Sequence, residues 1–136
     1  MGSDGFMTDS NAVLDILTDD PVWGAWALEA FARASIEGEL IINQVILAEV
    51  SPGYLSYEEV NAALPQATFR RESLPWEAAF IAGQAHRIYR NRGGARRTPL
   101  GDFYIGAHAV FRGYTLITRD AARYRTYFPG LKLIAP

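Results

Sequence analysis

Gly5-Phe6-Met7-Thr8-Asp9-Ser10-Asn11 runs a strand, a carboxylate and a helix start together without a spacer. Gly5 to Thr8 reads as a short strand. Ser10 or Asn11 is suited to cap a helix running to Leu17. The same grammar returns near the other end of the chain. Tyr114 to Thr118 is strand-like, Thr118-Arg119-Asp120 closes it, and a helix is expected over Ala121 to Tyr127. Between these, strands are expected at Leu40 to Ile42 and Thr68 to Ser73, with a last one at Lys132 to Ile134. Helices are expected from Pro21 to about Ile36, Gln44 to Val50, Tyr57 to Leu64, Pro75 to Asn91 and Asp102 to Phe111. Arg92 to Leu100 reads as a loop. Short apolar strands alternating with amphipathic helices imply a parallel sheet covered on both faces.

Ligands of such sheets bind outside the carboxyl ends of the strands, where strand order reverses. Asp9 and Asp120 both follow strands. If those strands are neighbours at the reversal, their carboxylates face one crevice. Glu49, after the apolar stretch Ile41 to Ala48, and Asp102, at a helix start, can join from the sides. Two carboxylates about 5 Å apart repel by on the order of 3 kcal/mol at an effective dielectric near 20. A domain that gathers four is expected to hold a divalent cation. Mg²⁺ takes hard oxygen ligands and keeps several waters, so one or two direct carboxylates suffice. Asp9 and Asp102 are read as direct ligands. Asp120 is read as binding directly or through water. Glu49 is read as holding a metal-bound water or helping to deprotonate the nucleophile. Ser10, Asn11 and Thr118 are uncharged groups able to orient the acids. Taken singly, each acid has a plainer role: Asp9, Asp102 and Asp120 as helix caps, Glu49 as a surface residue.

The remaining composition narrows the classes. The 136 residues are enough for one domain with one core, with residues 1–4 read as a flexible terminus. No apolar stretch approaches the roughly 20 residues that span a bilayer. The start, Met1-Gly2-Ser3-Asp4-Gly5-Phe6, has no charged-then-apolar leader pattern. The absence of cysteine excludes disulfides and thiolate metal sites, and fits a cytoplasmic chain. Net charge is −2, but unevenly spread: all but two of the 15 acids lie before His86. Those two are Asp102 and Asp120, set among arginines. Arg grips phosphate with a planar fork. Arg92, Arg96 and Arg97, in the Gly-containing loop that leads to Asp102, and Arg119 are the candidate contacts to an RNA backbone, against the alternative of a solvated basic loop. His86 and His108 match no metal-ligand spacing and read as ordinary helix residues. Trp23, Trp26 and Phe31 share helical spacing, which favours core or dimer packing.

Asp9-Ser10-Asn11, Ala48-Glu49, Gly101-Asp102-Phe103-Tyr104-Ile105-Gly106-Ala107 and Thr118-Arg119-Asp120 together resemble the four signatures of PIN-domain nucleases. Within that family the chain is most similar to VapC-type toxins of toxin–antitoxin pairs. The resemblance covers essentially the whole chain. It implies a three-layer α/β/α domain with a central, mostly parallel sheet of four to five strands. It also implies Mg²⁺- or Mn²⁺-dependent endoribonuclease activity, a homodimer and a cognate VapB-type antitoxin. Many relatives carry a further acid shortly after Asp120, where this chain has Ala121-Ala122-Arg123-Tyr124. That departure counts against a second, tightly held metal. The competing functions are a PIN-type RNA-processing nuclease without an antitoxin, and a catalytically silent PIN-like domain that binds RNA or protein. A phosphatase using Asp9 as nucleophile would need an Asp-x-Asp pair, and residue 11 is Asn.

Overall fold

The computed structural model describes residues 5–93 and 100–136; the expectations for the terminus at 1–4 and for Arg96 and Arg97 lie outside the described residues. Five strands form one sheet: β1 (Gly5–Thr8), β2 (Glu39–Ile42), β3 (Phe69–Arg71), β4 (Thr115–Ile117) and β5 (Lys132–Ile134). Their spatial order is β3-β2-β1-β4-β5, and every neighbouring pair is parallel. The chain first builds outward from β1 to β3, then crosses back to place β4 on the other side of β1. The reversal therefore falls between β1 and β4, where Met7 pairs with Leu116 and Thr8 with Ile117.

Among the described residues seven α-helices cover the sheet: α1 (Ser10–Leu17), α2 (Gly24–Glu37), α3 (Gln44–Val50), α4 (Tyr57–Ala63), α5 (Trp76–Asn91), α6 (Leu100–Arg112) and α7 (Ala122–Tyr127). Parallel strands demand crossover connections, which are right-handed. Those after β1 and β2 then fall on one face, and those after β3 and β4 on the other. The result is a three-layer α/β/α arrangement. The strand interiors Met7, Ile41, Ile42, Leu116 and Ile117 are almost wholly buried, as expected for a sheet with no solvent face. Above them Val13, Ala27 and Phe31 close one layer, and Phe103, Ile105 and Ala107 the other. Phe31 meets Phe69 edge-on at 6.1 Å, so its helical stripe with Ala27 and Ala34 is core.

Several boundaries move from the sequence expectation. Helix α2 begins at Gly24 rather than Pro21, because the Asp20 carboxylate accepts the backbone N–H groups of Val22 and Trp23 (3.1 and 2.7 Å) in a turn before it. Helix α6 begins at Leu100, so Asp102 lies inside its first turn rather than opening it. A 3₁₀ turn at Ser51–Gly53 extends α3. No helix among the described residues is long and apolar enough to cross a membrane.

Candidate active site, a graded carboxylate cleft

The last pairing of β1 against β4 carries Asp9 to the reversal point: its N–H donates to Ile117 O at 2.9 Å. Asp9 is extended, with φ −61° and ψ 146°, and is the N-cap of α1. The capping role and the site role are thus one role. Its Oδ1 accepts the Ser10 N–H at 2.8 Å. Its Oδ2 accepts two hydroxyls, Thr118 Oγ1 and Tyr124 OH, each at 2.8 Å. Thr118 is fixed in turn, since its N–H donates to Ile134 O and its Oγ1 accepts the Asp120 N–H at 3.1 Å. Asn11 completes this belt, reaching Thr118 Oγ1 at 3.4 Å and accepting the Arg119 N–H at 3.3 Å.

The other acids arrive from helices and from the end of β4. Glu49, on α3, accepts Ser10 Oγ at 2.5 Å. Its other oxygen rests where Gly101 lacks a side chain; a Cβ there would overlap it. Asp102, next along α6, lies in a first turn whose unpaired N–H groups favour negative charge. Arg123 Nη1 donates to Asp102 Oδ2 at 2.7 Å. Asp120 follows β4 and is exposed, whereas Asp9 is only 1% exposed and Glu49 and Asp102 are intermediate. The cleft therefore grades from a buried carboxylate to a solvated one.

The acids feel one another. Burial, and next the charge of Asp102, push the Asp9 carboxyl up to about 7; bonds from Thr118 and Tyr124 oppose this and Glu49 adds to it. Burial also raises Asp102, against the pull of Arg123 and with the help of Glu49 and Asp120. Tyr124 is raised well above its ordinary value by burial and then by Asp9, so it stays a proton donor.

Other predicted residues go elsewhere. Arg119, read as a phosphate contact, is paired with Asp15 through two nitrogens at 2.8 and 3.2 Å, and lies 5.9 Å from the Trp23 ring centroid. Arg92 lies 5.5 Å from the centroid of Tyr127. Two site residues escaped sequence reasoning: Tyr124, which holds Asp9, and Arg123, which holds Asp102. The signal was their position one turn past Asp120. A cavity of about 650 Å³ runs between α1, α2, α4 and β3 and touches none of the four acids.

The donor set fits a hard divalent ion: oxygen only, mutually repelling, with Asp9 burdened by a charge that a cation would relieve. Among the described residues no three carboxylate or imidazole groups form a ready-made cage.

A parallel sheet covered on both faces, with carboxylates graded in exposure at its reversal, defines the α/β domain. Residues 6–129 match the PIN domain model, and the chain belongs to the PIN-domain family. Among curated protein sequences, none matches the chain. Solved structures similar in fold include VapBC2 from Rickettsia felis, bound to a promoter DNA fragment. That match has 19% identity, a TM-score of 0.72, and coverage of 97% of this chain and 98% of that one. VapBC-1 from nontypeable Haemophilus influenzae gives 16%, 0.73, 96% and 97%. DNA-bound VapBC from Salmonella typhimurium gives 21%, 0.71, 99% and 98%.

Proposed function

We propose that the chain is a divalent-metal-dependent endoribonuclease that serves as the VapC-type toxin of a toxin–antitoxin pair. One observation carries the reading: in this PIN-family chain the charges of Asp102 and Glu49 raise Asp9, and those of Glu49 and Asp120 raise Asp102, so acids from four separate segments act on one another in a chain near the sheet reversal. The likeness of the fold to VapBC structures supports a VapB-type antitoxin as partner. Homodimerisation and action in the cytoplasm belong to the same reading.

Asp9 and Asp102 would hold Mg²⁺ or Mn²⁺, with Asp120 binding directly or through water. The bound ion supplies charge neutralisation at the phosphate and a water of lowered pKa. Thr118 and Tyr124 keep Asp9 Oδ2 aimed, so the buried ligand needs no reorganisation. Ser10 holds one Glu49 oxygen, leaving the other to take the proton from the attacking water. Arg92, Arg96 and Arg97 are proposed to grip the RNA backbone without reading sequence. Arg119 would first have to leave Asp15 to take part.

The purified chain is expected to cut structured RNA with Mg²⁺ or Mn²⁺ and to be silent in chelator. Millimolar metal is also expected to raise its melting temperature by several degrees, because a ligand bound to the native state alone stabilises it by mass action. Absence of both cleavage and a thermal shift would overturn the proposal. Gly101→Ala is a finer test. The new methyl must displace the end of the flexible Glu49 side chain, which costs little stability, and Ala favours a helix over Gly by about 1 kcal/mol. The variant is expected to melt no lower than wild type yet cleave at least about tenfold more slowly, within the range of a mispositioned general base. Unchanged cleavage would remove Glu49 from its role.

A further inference from the structure

Among the described residues, Arg123 is the only cation paired with any of the four acids. Its guanidinium donates to Asp102 at 2.7 Å, and the two side chains are 28% and 26% exposed. The same guanidinium lies 5.6 Å from the ring centroid of Tyr89 and 6.0 Å from that of Phe103. Helix α7 thus delivers consecutive residues to the cleft: Arg123 to Asp102, and Tyr124 to Asp9.

We propose that Arg123 is a tethered counter-cation, which holds Asp102 in the metal-free chain and yields it to an incoming divalent ion. Metal affinity is then set by competition between the two. The inference rests on the carboxylate cleft being the metal site proposed above. An arginine suits this work because it never loses its charge in a protein. It neutralises Asp102 under all conditions in which the cleft would otherwise repel itself. Among the described residues one guanidinium faces four carboxylates, which leaves their sum negative, so an ion of twice the charge can displace it. The faces of Tyr89 and Phe103 already flank the guanidinium and stay favourable to it when its bond to Asp102 is given up. Arg123 therefore scales apparent metal affinity down to the fraction of chains whose Asp102 is free.

The test is calorimetric titration of the full chain with Mn²⁺, comparing wild type with Arg123→Gln and with Arg125→Gln. Arg125 is exposed on the same helix and serves as the control for general charge. Arg123→Gln is expected to bind Mn²⁺ roughly fivefold tighter, as expected when the competing state is removed. Arg125→Gln is expected to change affinity by less than about twofold, as a screened surface charge. The metal-free melting temperature of Arg123→Gln is expected to fall, and the gap from wild type to close at saturating Mn²⁺. Equal or weaker binding by Arg123→Gln would overturn this inference alone, as would an equal gain from Arg125→Gln. Should Arg123→Gln fail to fold, Arg123→Lys provides the reading: it keeps the charge but loses the stacked planar fork, and is expected to bind Mn²⁺ measurably tighter than wild type. Unchanged affinity in that variant would overturn the inference. No Mn²⁺ binding by any of the chains would defeat the metal-nuclease reading itself, and this inference with it.

Discussion

Asp9→Asn is expected to reduce RNA cleavage by about a thousandfold, the scale at which one preorganised charge-stabilising group acts, while raising the melting temperature of the metal-free chain. The two effects have one cause. Asp9 is 1% exposed, and its carboxyl is pushed up to about 7 by burial first, then by Asp102, against the hydrogen bonds of Thr118 and Tyr124. The folded pKa lies above the ordinary value of 3.8. Between those values the native chain holds a proton that the unfolded chain has released. Metal-free stability therefore falls as pH rises through that window, and the cost is full above about 7. An uncharged amide removes the cost, on the order of 4 kcal/mol at pH 8 for a shift from 3.8 to about 7. It also caps α1 as well as Asp does, so loss of the cap does not confound the result. Urea melts from pH 5 to 8 in chelator should show a declining stability for wild type and a flatter line for the variant. A variant less stable than wild type at pH 8 would make Asp9 a structural residue.

Asp9 and Asp120 were legible in the sequence as residues that follow strands, Glu49 as one that follows an apolar stretch and Asp102 as one at a helix start, and such positions show in one dimension. Asp9 and Asp120 needed only the inference that their strands are neighbours, which the β1–β4 pairing bears out. What holds the acids was not legible. Tyr124 and Arg123 reach the cleft through long side chains whose direction depends on the rotational phase of α7, a helix of 6 residues with no side-chain cap. Arg119 adjoins Asp120 in sequence, but its side chain is spent on Asp15, 104 residues away. Helix starts shifted for local reasons: a carboxylate in a turn before α2, and an α6 beginning before the acid that seemed to open it. His108 reads as an ordinary helix residue and lies on α6, but its partners could not be guessed. They come from segments 65 and 36 residues distant.

Those partners set up the second large expectation: Glu72→Gln should destabilise the chain by about 2 kcal/mol at pH 7, in the range for hydrogen bonds to a charged group, and progressively less toward pH 3. Glu72 follows β3 and accepts from four side chains. Tyr114 OH and Arg70 Nη1 meet Oε1 at 2.5 and 3.1 Å; His108 Nε2 and Arg112 Nε meet Oε2 at 2.8 and 3.1 Å. Asn43 Nδ2 donates to His108 Nδ1 at 2.9 Å, so the imidazole keeps its proton on Nε2 for Glu72. Asn43 is also the N-cap of α3, and His108 lies on α6. The cluster thus ties both helices that bear Glu49 and Asp102 to the β2–β3 side of the sheet. Burial pulls the Glu72 carboxyl upward, but bonds from Tyr114, His108 and Arg70 overrule it and hold it down at about 2. A folded pKa below the ordinary 4.5 stabilises the native state above that value, and the benefit is lost as pH falls toward about 2. His108, lowered by burial despite Glu72, acts in the same direction: protons taken up by the unfolded chain below 6.5 favour unfolding. The magnitude is set below the full shift because solvent reaches part of the cluster. Urea unfolding of both chains from pH 7 to 3 should give converging curves; parallel ones would mean that the carboxylate charge of Glu72 does not anchor α6. The variant should also cleave RNA more slowly at pH 7 without weaker Mn²⁺ binding per folded molecule, since it loosens the support of Asp102 and Glu49 rather than removing either.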